Sequence, residues 1–385
     1  MNLRLPIHAA AFMLLSGCNG CKSDVNVAST FEDTGEPFLS DWGSWLSMDV
    51  MPDGSPAIAY YDATDGGLGF AIASIEDDGS VSWIREQVDG YLNADNLDTG
   101  DRGKYASMKI AADGTVWIAY QDVALGTLRY AVRGDGGWTS DIADIGGGSS
   151  SDAGYFASLA LDADGMPVIV HYDNKQSNLR IARWIGSGFT AEVLVEGEDY
   201  VPSDTGSVGM DAQVGEFAKI VISGGIEYVA YYDRAFGDLK MSWGTSGSHS
   251  VEVIDTEGDV GQWPDLLIDG GTIHIAYHDI TNQDLKYASG APGSWSSSIV
   301  DSGDYVGADT DIFLDPASNS VSFAYFDGRN NDMKLAWQSG GEWNLDTVVG
   351  SEGALGFHNE VVTSGAVTYA ACYDYTNRKL WFSAL

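Results

Sequence analysis

A tetrapeptide close to Ala-Tyr-x-Asp recurs seven times along the 385 residues, at intervals of 46 to 60 residues. The copies end at Asp62, Asp122, Asp173, Asp233, Asp279, Asp327 and Asp374. Six residues after each aspartate comes a large aliphatic residue: Leu68, Leu128, Leu179, Leu239, Leu285, Met333 or Leu380. A fixed offset in all seven copies indicates seven structural repeats, which a fold of stacked units would explain.

Each repeat has the pattern of four short β-strands. In residues 154–197 these are FASLALD, PVIVHYD, LRIARW and FTAEVLVEG, with Asp164-Gly165 supplying a tight hairpin turn between the first two. Second strands such as VSFAYFD are apolar at nearly every residue, so both of their faces must be covered. We therefore predict an all-β fold, a seven-bladed β-propeller with four antiparallel strands per blade.

The two ends of the chain predict how the ring closes. The seventh repeat stops at LWFSAL, its third strand, whereas the early segment DVNVASTFEDTGE resembles outer strands such as WNLDTVVGSEG. We predict that residues 25–30 complete the seventh blade, so that residues 25–385 form one propeller with no open edge between the chain ends. Removal of this strand is expected to destabilise the ring.

The first 18 residues predict export. One Arg, an apolar run too short to span a bilayer, and Leu15-Ser16-Gly17-Cys18 are typical of a signal peptide, and the last four residues resemble the lipobox of bacterial lipoproteins. The resemblance implies a lipid on Cys18, followed by a tether over residues 19–24. Asn19 follows where an inner-membrane lipoprotein would have Asp, so we expect an outer-membrane lipoprotein, periplasmic or surface-exposed, held to the membrane by its lipid alone.

The charge limits the partners. With 19 Lys and Arg against 56 Asp and Glu, the formal charge is −37, which excludes nucleic acid as a ligand. Acidic oxygens in two expanded connections, residues 90–105 and 196–217, suit Ca²⁺, but no spacing matches a defined calcium loop. We predict no metal or other cofactor, with Ca²⁺ as the alternative, and a monomer.

Two sets of residues near the start of the first strands are candidate ligand contacts. Aromatic side chains, most of them two residues after a Gly, predict a rim that would stack on sugar rings, with packing between blades as the alternative. This rim comprises Trp45, Tyr105, Phe156, Phe217, Trp263 and Phe357, with His358 beside it. Two residues further on, Lys219, Asp265 and Asp311 differ from the serines of other repeats. We predict that these side chains contact a ligand in the central channel, with solvation of the channel as the alternative. The seven motif aspartates are expected to be structural, accepting hydrogen bonds in the following turn.

The predicted strand Asp284-Leu-Lys-Tyr-Ala288 has a counterpart in Asp238-Leu-Lys-Met-Ser242. With this strand and the AYYD repeat, the chain resembles a loosely defined group of exported bacterial propellers over about residues 25 to 385. That group is related to sialidase-like and fucose-lectin-like repeat proteins. The shared motifs identify the blades rather than an activity. The resemblance does not bring catalytic residues, because this chain has seven units and no Ser-x-Asp-x-Gly-x-x-Trp box.

These patterns favour a cell-envelope binding protein that recognises carbohydrate or another envelope polymer on the propeller face with the blade-to-blade loops. A protein-interaction scaffold at the outer membrane, with an envelope protein as partner, is the alternative. A glycan-active hydrolase or lyase is the second alternative, although no Gly-x-Ser-x-Gly or His-Glu-x-x-His motif is present. The sequence alone names no catalytic residue.

Overall fold

The computed structural model describes residues 41–76, 79–91, 98–134, 136–147, 152–198, 212–303, 305–349 and 353–385. The predicted signal peptide, the lipidation site Cys18, the tether and the strand over residues 25–30 lie outside these residues. Of the acidic residues in the two expanded connections, Asp95, Asp199, Asp204 and Asp211 also lie outside the described ranges. No helix in the described part of the chain is long and apolar enough to cross a membrane.

The described residues form 27 strands in seven antiparallel sheets, one per predicted repeat. Sheet one contains β1 (Trp42–Val50), β2 (Pro56–Asp62), β3 (Gly67–Ile75) and β4 (Val81–Gly90). Sheet two contains β5 (Arg102–Ile110), β6 (Val116–Asp122), β7 (Thr127–Gly134) and β8 (Gly137–Asp144). Sheet three contains β9 (Tyr155–Leu161), β10 (Pro167–Asp173), β11 (Asn178–Trp184) and β12 (Phe189–Val195). Sheet four contains β13 (Val214–Ser223), β14 (Ile226–Asp233), β15 (Asp238–Thr245) and β16 (Ser248–Asp255).

The remaining sheets follow the same order. Sheet five contains β17 (Val260–Asp269), β18 (Thr272–Asp279), β19 (Asp284–Ala291) and β20 (Ser294–Asp301). Sheet six contains β21 (Val306–Leu314), β22 (Val321–Asp327), β23 (Asp332–Ser339) and β24 (Glu342–Val349). Sheet seven contains β25 (Phe357–Ser364), β26 (Val367–Asp374) and β27 (Lys379–Ala384).

The predicted seven-bladed β-propeller is confirmed. Within each sheet the first strand of the blade pairs with the second and the second with the third, and blades one to six add a fourth strand. The second strands β6, β10 and β22 are buried along their whole length, as their uninterrupted apolar sequences require. The ring closes where β1 of the first blade lies against β25, β26 and β27 of the seventh.

The repeated Leu or Met that follows the tetrapeptide sets the distance between neighbouring blades. Each lies against a glycine at the start of the next blade's first strand, with Leu179 against Gly215 as the tightest case. A methyl group added to Gly215 would lie 2.5 Å from Leu179 Cβ, and Gly215 has φ +104°. The seven glycines are Gly43, Gly103, Gly154, Gly215, Gly261, Gly307 and Gly356. Glycine is therefore required for the blades to approach this closely.

The motif aspartates cap the turn after each second strand. The Oδ1 atom of Asp62 accepts the backbone N–H of Thr64 at 2.9 Å, and that of Asp173 accepts the N–H of Lys175 at 3.0 Å. Equivalent bonds to a backbone N–H two or three residues ahead occur at Asp122, Asp233, Asp279, Asp327 and Asp374. All seven thus have a turn-forming role.

A second set of carboxylates joins neighbouring blades. The fourth strands of blades one, two, four and five end in buried aspartates, here called seam aspartates: Asp89, Asp144, Asp255 and Asp301. Each contacts a Tyr or His of the next blade's second strand and a cation of its third strand. Asp255, for example, accepts the hydroxyl of Tyr277 at 2.5 Å and lies 2.5 Å from the Lys286 ammonium.

The seam between blades three and four lacks this carboxylate. Val195 pairs with Leu179 as Asp255 pairs with Leu239, so Val195 occupies the seam-aspartate position. The hydroxyl of Tyr231, which is fully buried, has no hydrogen-bond partner among the described residues, and Lys240 instead donates to Asp233 at 2.6 Å. Blade four therefore keeps the Tyr and the Lys of the pattern without their acceptor.

We predict that Val195→Asp stabilises the protein. The new carboxylate would accept the Tyr231 hydroxyl and approach Lys240, and a buried hydrogen bond to a charged group outweighs the lost methyl groups by roughly 1 kcal/mol. The measurement is the midpoint of denaturant unfolding, in the native background and in Tyr231→Phe. An equal change in both backgrounds would contradict the assignment of Val195 to the seam position.

Candidate functional site

Each of the seven first strands, β1, β5, β9, β13, β17, β21 and β25, contains one non-glycine residue in the left-handed backbone region. These residues are Trp45, Tyr105, Phe156, Phe217, Trp263, Asp309 and His358, with φ between 46° and 57°. Every one follows by two residues the glycine that contacts the preceding blade. The pairing with the second strand shifts register at this point, as between Glu216 and Lys219. The backbone thus forms an irregular turn of the strand at one level of all seven blades.

Six of these residues form an aromatic belt, defined here as His358, Trp45, Tyr105, Phe156, Phe217 and Trp263. Successive ring centroids along the belt lie 4.6, 4.2, 5.1, 4.4 and 4.8 Å apart. Phe217 is 6% exposed, and the other five rings are half-buried. The belt is interrupted once, between Trp263 and His358, where Asp309 takes the seventh position.

The predicted rim requires a correction in blade seven. Phe357 was expected in the ring, but the left-handed residue two positions after Gly356 is His358. Phe357 lies outside the belt, with its ring 4.5 Å from that of Phe326 and 5.9 Å from that of Tyr375. The reason is the close contact at Gly356, which fixes the register of β25 irrespective of which neighbour is aromatic. Counting two residues on from Phe357 predicts Asn359 at the next inner position, but the same shift of one residue puts Glu360 there.

Two residues beyond the belt lie the inner positions: Ser47, Ser107, Ser158, Lys219, Asp265, Asp311 and Glu360. Their side chains connect neighbouring first strands around the channel. Ser47 Oγ accepts the backbone N–H of Met108 at 3.1 Å, Ser107 Oγ that of Leu159 at 3.0 Å, and Ser158 Oγ that of Ile220 at 3.2 Å. In blades one to three the inner position therefore has a defined structural task.

Blades five to seven form the same bonds with carboxyl groups. Asp265 Oδ2 accepts the N–H of Ile312 at 2.9 Å, Asp311 Oδ2 accepts that of Val361, and Glu360 Oε2 accepts that of Met48 at 3.1 Å. Lys219 has no lone pair to offer Leu266, whose N–H is instead accepted by Asp265 Oδ1 at 2.9 Å. Asp265 thus serves two strands, whereas Asp311 and Glu360 each keep one oxygen outside these bonds.

The inner positions of blades four to seven form one electrostatic cluster. Burial disfavours the Lys219 ammonium, but the negative charges of Asp265, Glu360, Asp311 and Asp309 outweigh it and raise the pKa of Lys219. Burial, with the charges of Glu360 and Asp265, raises the pKa of the Asp311 carboxyl well above its usual range. Burial likewise raises the pKa of Glu360 against the opposing charge of Lys219. The inner positions are therefore serines in blades one to three, and one lysine with three carboxyl groups in blades four to seven.

No group of three or more His, Cys, Asp or Glu side chains within the described ranges has a metal-binding arrangement. The histidines outside the belt have other partners. His171 Nε2 lies 3.0 Å from Asp144 Oδ2, His278 Nδ1 donates to the Val306 carbonyl at 2.8 Å, and His249 Nε2 lies 2.7 Å from Glu227 Oε2. These imidazoles belong to blade packing rather than to the channel.

Sequence reasoning did not identify Glu360 as an inner position. The glycine spacing carried the signal, since Gly356 precedes His358 by two residues as the other six glycines precede their left-handed residues.

Comparisons with known proteins agree with the propeller and define no family. Neither protein-family models nor curated proteins gave a match. Among solved structures, the polysaccharide lyase Uly1 is 11% identical with a TM-score of 0.53, covering 98% of this chain and 95% of its own. The hydrazine synthase of Kuenenia stuttgartiensis is 9% identical with a TM-score of 0.55, covering 94% and 98%.

The Hadza microbial sialidase Hz136 is 11% identical with a TM-score of 0.48, and the match covers 80% of this chain but only 66% of the sialidase. At these identities the likeness shows the fold alone. The chain is a seven-bladed β-propeller.

Proposed function

We propose that this protein is a binding protein that holds a saccharide at the mouth of the propeller channel, against the aromatic belt. The carrying observation is the belt itself, in which six rings follow one another at 4.2–5.1 Å around the channel. Aromatic faces are the usual apolar platform for sugar rings, because they cover C–H groups at little conformational cost. Carboxylates and one ammonium at the adjacent inner positions supply acceptors and a donor for hydroxyl groups.

The two sides of the channel support the same proposal. Blades one to three satisfy their neighbours with neutral serines, so the fold does not need charge at the inner positions. Burying Lys219, Asp311 and Glu360 is costly, and a binding role accounts for a cost that the repeat itself avoids elsewhere. Because the structural neighbours include both a lyase acting on polysaccharide and a hydrazine synthase, the fold does not choose the ligand.

We further propose that the protein works at the cell envelope, in keeping with the sequence features of residues 1–18. A lipid on Cys18 would keep the propeller at the membrane surface while leaving the belt accessible. The saccharide would then be one of the envelope or of its surroundings.

The test is a glycan-array screen of the purified protein, with and without Ca²⁺, followed by titration of any ligand found. For the double variant Trp45→Ala/Trp263→Ala we expect affinity to fall about tenfold to a hundredfold, because two aromatic contacts contribute roughly 1–3 kcal/mol. Trp295→Ala is the matched control, since Trp295 is a half-buried indole on the outer strand β20, bonded to Glu252. Absence of binding in both conditions would sink the proposal in favour of a protein partner, and equal losses in both variants would move the site away from the belt.

A further inference from the structure

Asp309 is the one carboxylate among the seven left-handed residues of the first strands, and it occupies the position that interrupts the aromatic belt. It has the left-handed backbone of the other six, with φ 47°, and lies between Trp263 and His358 in blade order. Its backbone is held by its neighbours, because Asn359 Nδ2 donates to the Asp309 carbonyl at 3.0 Å. The adjacent Thr310 Oγ1 donates in the same way to the Trp263 carbonyl at 2.5 Å.

The fold does not account for the charge of this residue. The half-buried carboxylate makes no hydrogen bond or ion pair with another residue of the described chain. Asn adopts left-handed backbone at least as readily as Asp, and six other blades accept a ring here, so the conformation calls for neither acid nor charge. The charge of Asp309 acts on the Lys219 ammonium, which also faces Asp265, Asp311 and Glu360. No donor of the described chain forms a hydrogen bond with the carboxylate, so its oxygens are available to a ligand.

The surroundings define the complementary ligand group. Indole is the best cation–π face among side chains, and Trp263 precedes Asp309 in the belt. The nearby Lys219 faces Asp309 together with Asp265, Asp311 and Glu360, so Asp309 shares this one cation with three other carboxyl groups. A ligand ammonium between Asp309 and Trp263 would gain both an ion pair and a ring contact.

We propose that Asp309 selects a saccharide carrying a protonated amine, that is, an amino sugar whose nitrogen is not acylated. This inference rests on the proposed function and names its ligand class. The ammonium would donate to the Asp309 carboxylate and lie against the Trp263 ring, while the remaining belt rings would hold the neighbouring sugar units.

The experiment compares glucosamine oligomers with N-acetylglucosamine oligomers of the same length by calorimetric titration of the full chain. We expect the amine form to bind the native protein about tenfold or more tightly, in line with charge-assisted hydrogen bonds. In Asp309→Asn, which preserves the shape and the left-handed backbone, that preference should disappear while affinity for the acetylated oligomer remains. Asp346→Asn removes one exposed charge on the outer strand β24 and controls for general attraction to an acidic protein.

Equal affinity for the two oligomers, or a preference that survives in Asp309→Asn, would overturn the assignment of Asp309. In both cases saccharide binding lost in Trp45→Ala/Trp263→Ala would leave the proposed function standing. Failure of both oligomers to bind overturns this ligand class, and the glycan array then decides separately whether saccharide binding itself survives.

Discussion

Replacement of Asp89 by Ala is expected to lower the free energy of unfolding by about 3–5 kcal/mol, the cost of removing one partner from a buried ionic group. Asp89 is 1% exposed and accepts the Tyr120 hydroxyl at 2.5 Å. It also lies 3.0 Å from the Arg102 guanidinium and 3.4 Å from that of Arg129. Without it, the guanidinium groups of Arg102 and Arg129 would share the one carboxylate of Asp122, and the buried Tyr120 hydroxyl would lose its carboxylate acceptor.

Denaturant unfolding measures this loss, with Asp141→Ala on the exposed face of β8 as the control. A loss no larger than that of the control would contradict the role of the seam aspartates. The native protein should also show an acid dependence that the variant lacks. Burial alone would raise the pKa of Asp89, but Thr99, Tyr120, Arg102 and Arg129 outweigh burial and lower it. Its contribution is therefore complete above the unfolded pKa of about 3.9 and is lost as pH falls through the lower folded pKa.

The second large effect is expected at Gly215, where Ala should cost about 3 kcal/mol. The added methyl group would lie 2.5 Å from Leu179 Cβ and 2.9 Å from Leu179 Cα, and main-chain atoms of a packed blade cannot move aside easily. The positive φ of +104° adds backbone strain of its own, on the order of 1 kcal/mol.

Gly186→Ala separates these two contributions. Gly186 lies in the hairpin between β11 and β12 with φ +92°, and an added methyl group there would contact nothing within 4 Å. This variant therefore reports the cost of the backbone conformation alone. We expect the unfolding midpoint of Gly215→Ala to fall clearly below that of Gly186→Ala, whereas coincident midpoints would show that the contact between blades is not tight.

The fold was predictable because each blade repeats the same local solution. The offset from the motif aspartate to Leu179 or Leu239 spans one turn and the start of one strand. Both are formed by residues close together in the sequence, so the sequence pattern shows them directly. The contact that gives the leucines their role joins different blades, as when Leu179 packs on Gly215, and only the stacked ring displays it. The seam aspartates were missed for the same reason, since Asp89 and Tyr120 are 31 residues apart.

The site was predictable in position but not in detail. Spacing placed Lys219, Asp265 and Asp311 at inner positions, and the structure brings these three together with Glu360. The prediction of the rim followed the aromatic residue types rather than the glycine spacing. It therefore placed Phe357 in the rim of blade seven, where the structure has His358. No sequence pattern reveals that Asp265 serves two strands, because this follows from the missing acceptor at Lys219 in the neighbouring blade.

The left-handed residues also bear on how such a protein changes over evolutionary time. Their backbone conformation is set by the glycine contacts with the preceding blade. The side chain at these positions can therefore vary without a change in the strand. Tryptophan, tyrosine, phenylalanine, histidine and aspartate already occupy equivalent places in this one molecule. Gene duplication would thus have produced seven equivalent side-chain positions around one opening. A new ligand preference would require only single-codon changes at a few of these positions.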